Sequence, residues 1–76
     1  MTEERLSELN DKIKNGVASP ADEKEYMTFL FNNGNITEKQ YDNYMSGKNK
    51  EDMLKGALLV GGALLVAWII KRLLGE

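Results

Sequence analysis

The 76-residue chain carries 10 Lys and Arg against 12 Asp and Glu, a net charge of −2, and has neither cysteine nor histidine. That length holds one small domain and little more. Lack of cysteine removes disulfide frameworks and thiolate chemistry, and lack of histidine removes the commonest general base and neutral metal ligand.

Charge is spread unevenly. Residues 1–52 hold 7 basic and 11 acidic side chains, net −4, and residues 53–76 hold 3 and 1, net +2. An acidic leading part argues against nucleic acid as its partner. The start, MTEERLSELN, is acidic and amphipathic and is not a signal peptide.

In chain order, the first predicted helix runs from about Glu3 to Lys14. Thr2 caps it, Glu3 and Glu4 suit the positive end of its dipole, and Leu6, Leu9, Ile13 and Val17 form one apolar stripe. Asn15-Gly16 stops it. The second helix begins at Ser19-Pro20, with Asp22 and Glu23 in its first turn, carries Tyr26, Met27, Phe29, Leu30 and Phe31, and stops at Asn33-Gly34. The third begins at Thr37, where Gln40 completes a capping box and Ile36 with Tyr41 is placed for a hydrophobic staple. It carries Tyr41, Tyr44 and Met45 and ends at Ser46-Gly47. Asn49, with Asp52 three residues on, is the expected cap of a last helix starting at about Lys50.

An internal repeat at an offset of 18 relates Asn15-Gly16 to Asn33-Gly34, Ser19 to Thr37, Leu9 to Met27, and Tyr26-Met27 to Tyr44-Met45. The leading part reads as two copies of a helix, an Asn-Gly stop, a Ser/Thr cap and the next helix.

The last helix is the distinctive element. Residues 56–70 contain no charged side chain and eight Leu, Ile and Val. Fifteen residues make only ~22 Å of helix, but the stems of Lys55, Lys71 and Arg72 reach outward, so residues 53–74 offer ~33 Å against a ~30 Å hydrocarbon layer. At about −0.3 to −0.6 kcal/mol each, the eight large aliphatics favour insertion by roughly 2.5–5 kcal/mol. The expected span is carried by Leu54, Leu58, Leu59, Leu64, Leu65, Trp68, Ile69 and Ile70, with Lys55, Lys71 and Arg72 as interface anchors. The pairs Ala57/Gly61 and Ala63/Ala67 have the spacing that lets helices approach closely in lipid. An anchor so near the C-terminus inserts after translation, tail first, and the lysines before the span place the head on the cytoplasmic side or inside a virion. The competing expectation is a helix buried in a soluble assembly.

The expected organisation is therefore all-α: a helical head over 1–47, a linker over 48–52, a span over 53–74 and a tail of two residues. The head offers too few large apolar side chains to order about 45 residues by itself, so it is expected to lean on a partner protein, on copies of itself or on the membrane surface. Phe29, Leu30 and Phe31 cannot all be buried in one direction by a thin helix. With Tyr41 and Tyr44 they are the candidate partner contacts.

The stretch Leu30-Phe31-Asn32-Asn33-Gly34-Asn35-Ile36-Thr37-Glu38-Lys39-Gln40-Tyr41 resembles the SHOCT type of short helical hairpin, and is similar to the turn units of small phage proteins of the XkdX type. The resemblance covers about a quarter of the chain and implies an interaction or assembly role, with no catalytic residue carried over. SHOCT units usually close a chain, whereas this one precedes an apolar helix. No Gly-rich phosphate loop, paired-carboxylate arrangement or calcium loop is present, so no enzyme, metal or cofactor is expected. The function expected is a membrane-anchored structural or adaptor protein, in a host inner membrane or a virion. The alternatives are a holin-like permeabilising protein and a filamentous-virion coat subunit.

Overall fold

A computed structural model describes residues 1–75. These residues form four α-helices and no strand: α1 Glu3–Lys14, α2 Pro20–Asn32, α3 Glu38–Met45 and α4 Lys50–Gly75. Local chemistry sets the first three. The Thr2 hydroxyl accepts the Arg5 N–H. Ser19 with Asp22, and Thr37 with Gln40, each form a reciprocal capping box. Asp22 thus does more than favour the first turn of α2: its side chain accepts the Ser19 N–H and completes the box.

The 18-residue repeat has the same backbone geometry in both copies. Gly16 and Gly34 take φ of 73° and 75°, the left-handed region where a side chain would be strained. Past each glycine, the Val17 N–H reaches the Lys12 carbonyl at 2.9 Å and the Asn35 N–H reaches the Leu30 carbonyl at 2.8 Å. This six-to-one closure satisfies carbonyls that the helix end leaves unpaired. Leu9 and Met27, equivalent in the repeat, are both fully buried.

Asn49 departs from expectation. Its φ is 52°, left-handed rather than the extended conformation of an N-cap, and it supplies its carbonyl to the Met53 N–H at 2.9 Å. The turn after α3 is tight enough that Asn49 takes up the reversal, and Gly47 at φ 81° takes the rest.

The core is Leu6, Leu9, Tyr26, Met27, Leu30, Ile36, Tyr44 and Ala57. Seven of these belong to the head and the eighth to α4. Met53, Leu54, Leu58, Leu64, Leu65 and Trp68 of α4 pack around them. The support that the head needs thus comes from its own chain: α4 lies along it as a fourth wall. The Asn10 amide lies 3.5 Å from the Leu58 carbonyl and Glu3 pairs with Arg72, so α1 runs antiparallel to α4.

Candidate functional site

A shallow, open groove runs along α2 past Ala21, Lys24, Glu25, Thr28, Phe29 and Asn32. The chemically distinctive place is the contact between the head and α4. Tyr26 is fully buried there. Its hydroxyl donates to the Ala57 carbonyl at 3.0 Å and accepts from the Asn10 amide at 2.8 Å. The ring enters where α4 has no side chain: a Cβ at Gly61 would overlap the hydroxyl and lie 2.7 Å from Cζ. Burial raises the Tyr26 phenol pKa above its ordinary value, and the Asn10 hydrogen bond opposes this in part.

This geometry reassigns one half of the small-residue face. Ala57 and Gly61 are buried as the seat of Tyr26, so in this form they are closed to a second helix. Ala63 and Ala67 are exposed. Of the expected span residues, Leu54, Leu58, Leu64, Leu65 and Trp68 are half-buried on the head side, whereas Leu59, Ile69 and Ile70 are exposed. Arg72 pairs with Glu3, Lys55 pairs with Glu51 at 3.6 Å, and Lys71 is exposed.

The candidate partner contacts also divide. Leu30 and Tyr44 lie in the core and present no surface to a partner, contrary to expectation. Both face inward because α4 closes the head on the side that would otherwise be open. Phe29 meets the edge of Trp68 with centroids 6.2 Å apart, and Phe31 stacks on Tyr41 at 4.6 Å. The Tyr41 hydroxyl shares a 3.0 Å hydrogen bond with Thr28. The three consecutive large side chains are thus accommodated in three directions, inward, toward α4 and toward α3.

Two polar clusters tie the helices together at the surface. The Arg5 guanidinium spans both oxygens of Glu25, at 2.9 and 2.7 Å, and reaches Glu8 at 2.9 Å. The hydrogen bonds to Glu25 and then Glu8 raise the Arg5 pKa well above its usual range; Arg5 in turn lowers that of Glu25. The capping bond from the Ser19 N–H lowers the Asp22 pKa. At the other end, the Tyr44 hydroxyl donates to Glu23 at 3.2 Å, and Lys50 lies 3.7 Å from Glu23 and 5.3 Å from the Tyr44 ring centroid.

Burial first, and then the Glu23 carboxylate, push the Tyr44 pKa up to about 12. The fold therefore favours the neutral phenol. The resulting stability is intact below the unfolded pKa of ~10 and is lost as pH rises toward ~12. Thermal melts taken across that interval are expected to fall in the native chain and to fall less in Tyr44→Phe; equal slopes would contradict this placement of Tyr44.

The described chain is an all-α protein: a three-helix head packed on one long apolar helix. Neither a family model, nor a curated protein, nor a solved structure matches it.

Proposed function

We propose that the chain is a non-enzymatic membrane protein in which α4 is a single-span anchor and α1–α3 form an adaptor or structural head within a membrane-linked assembly. One observation carries the proposal. Only 11% of the most apolar 18-residue stretch of α4 is buried. The core helix of a soluble monomer would be covered on most sides, but here Leu59, Val66, Ile69, Ile70, Leu73 and Leu74 stand 44–82% exposed. Contiguous apolar surface of that kind marks a contact with membrane or protein. The 26-residue helix is ~39 Å long, enough to cross ~30 Å of hydrocarbon.

The head and a bilayer compete for the same helix. Head contacts run from Met53 to Arg72, so a bilayer closing around α4 would also engulf Arg5, Glu8, Asp22 and Glu25. Charges at the centre of a membrane cost about 2.5–3.5 kcal/mol each even on the mildest scale. Insertion therefore requires the head to leave α4. Departure uncovers Leu6, Leu9, Tyr26 and Leu30, a surface on which a partner protein can replace the lost helix. The permeabilising alternative needs Ala57 and Gly61 on a free face, which Tyr26 covers in the closed form and gives up when the head departs. A phage setting rests on the hairpin resemblance alone.

The test is to add the full chain to vesicles of phosphatidylcholine with phosphatidylglycerol, wash with alkaline carbonate and sediment. Retention in the pellet, with a blue shift of the single Trp68, supports an anchor. A chain that stays in the supernatant would overturn it.

A further inference from the structure

Three turns join the four helices, and one of them is built differently. After α1 and after α2 the chain turns on a left-handed glycine, closes with a six-to-one bond, and starts the next helix from a reciprocal capping box. The turn after α3 keeps the glycine, Gly47 at φ 81°, and lacks the rest. Asn43 is the counterpart of Lys12 and Leu30. Its carbonyl accepts the Ser46 hydroxyl at 3.2 Å, and among the described residues no backbone N–H from past Gly47 reaches it. No side-chain hydrogen bond caps the start of α4 among these residues. Asn49 is instead held at φ 52°, the one non-glycine residue among them with positive φ. Residues 45–52 are all exposed, so packing does not hold the turn shut. A left-handed residue other than glycine stores a small strain, and such strain collects at segments that change state.

We infer that residues 46–49 are the hinge on which the head leaves α4, and that in the open form α3 and α4 run on through them as one helix. The inference rests on α4 being a membrane anchor. Ser46 is already right-handed, at φ −83° and ψ −4°. Gly47 and Asn49 are the only positive-φ residues between Glu38 and Gly75, so turning those two to the right-handed region continues the helix. The head travels as a unit, because the ties within it do not involve α4. Arg5 joins α1 to α2 through Glu25, and Tyr41 joins α3 to α2 through its bond to Thr28 and its stacking on Phe31. The charges of the head then stand beyond the N-terminal end of α4, clear of the hydrocarbon around residues 53–74. Insertion proceeds from this minor open population, so its rate follows the ease of opening. That ease is set at two backbone positions, far from the seat of Tyr26.

Three matched glycines make the test specific. Gly16, Gly34 and Gly47 have φ of 73°, 75° and 81°, and a Cβ at each meets nothing within 4 Å. Alanine therefore adds the same kind of strain at all three. With the head intact on opening, strain at residues 16 and 34 is present in both forms and cancels, whereas strain at residue 47 is present only in the closed form. Full-length chains would be mixed with phosphatidylcholine–phosphatidylglycerol vesicles and followed by the blue shift of Trp68 and by retention after a carbonate wash. In buffer, thiol labelling of Leu9→Cys in each background reports opening without a membrane, since Leu9 is fully buried and the chain has no other cysteine. Gly47→Ala is expected to insert and to label roughly five- to thirtyfold faster than the native chain. Gly16→Ala and Gly34→Ala should keep the native rates. Asn49→Gly, relieved of strain when closed and poorer in a helix when open, should be slower. Equal acceleration by all three alanines would mean that α4 is freed only by unfolding of the whole chain, and would overturn the hinge. Native rates in both Gly47→Ala and Asn49→Gly would overturn it as well, and insertion of the native chain would still stand for the anchor. Labelling that follows the hinge pattern in chains that never enter vesicles would overturn the anchor and keep the hinge.

Discussion

Exchanging the two adjacent glycines of α4 for alanine is expected to shift stability in opposite directions. Both occupy the middle of a helix, where alanine is better than glycine by about 1 kcal/mol. A Cβ at Gly62 meets nothing within 4 Å, so Gly62→Ala should realise that gain, raising the melting temperature of a domain this size by ~4–8 °C. A Cβ at Gly61 collides with Tyr26, whose ring must then move. Overpacking of this kind costs about 1–3 kcal/mol, and displacing the hydroxyl from the Ala57 carbonyl adds about 1 kcal/mol. Gly61→Ala should therefore lower the melting temperature. Tyr26→Ala is expected to go further, by about 3–5 kcal/mol, a large part of the ~4–11 kcal/mol that holds a chain of this length together. Tyr26→Phe, which keeps the ring and leaves the Asn10 amide and the Ala57 carbonyl without their partner, should cost about 1–2 kcal/mol. Circular-dichroism melts of the full chain decide the matter. If both glycine replacements stabilise, Tyr26 does not seat on α4.

That contact also carries the balance between the two environments proposed for α4. The head gives up one buried tyrosine, two hydrogen bonds to the α4 backbone and the Glu3–Arg72 pair when it lets go. A bilayer offers eight large aliphatics their insertion energy, of the same few kcal/mol. Comparable terms on both sides make the choice sensitive to single substitutions at the contact. Weakening the seat of Tyr26 should shift α4 toward the membrane, whereas stabilising it should hold the closed form.

The parts of the fold written in short range were legible in the sequence. Thr2, Ser19 and Thr37 cap helices because each hydroxyl reaches an N–H three residues ahead, and Gly16 and Gly34 end them because φ there is positive. Such signals need no knowledge of the rest of the chain. The helix–head contact was not legible, because Tyr26 and Ala57 are 31 residues apart and Gly61 in an apolar helix reads the same whether it faces lipid, another helix or a tyrosine. Asn10 shows the same difficulty: beside Leu9 it reads as a polar surface position, and only the arrival of Tyr26 gives its amide a role.

Arginine at Ala63 is expected to separate folding from membrane insertion. Ala63 is exposed in the closed form and lies near the midpoint of residues 53–74. In water the new guanidinium is solvated, it touches neither Tyr26 nor the core, and a surface replacement of this kind changes stability by less than about 0.5 kcal/mol. In a bilayer the same residue sits near the middle of the hydrocarbon, where arginine costs about 2.5–3.5 kcal/mol, close to a hundredfold in partition. The variant should keep the melting temperature of the native chain and lose its retention on carbonate-washed vesicles. Lys71→Arg, at the end of the span where charge is already tolerated, should keep both. An Ala63→Arg chain that remains in the vesicle pellet would mean that α4 does not cross the hydrocarbon and that the closed form rests on the membrane surface. One that loses its melting transition would mean that the outer face of α4 is already packed in solution.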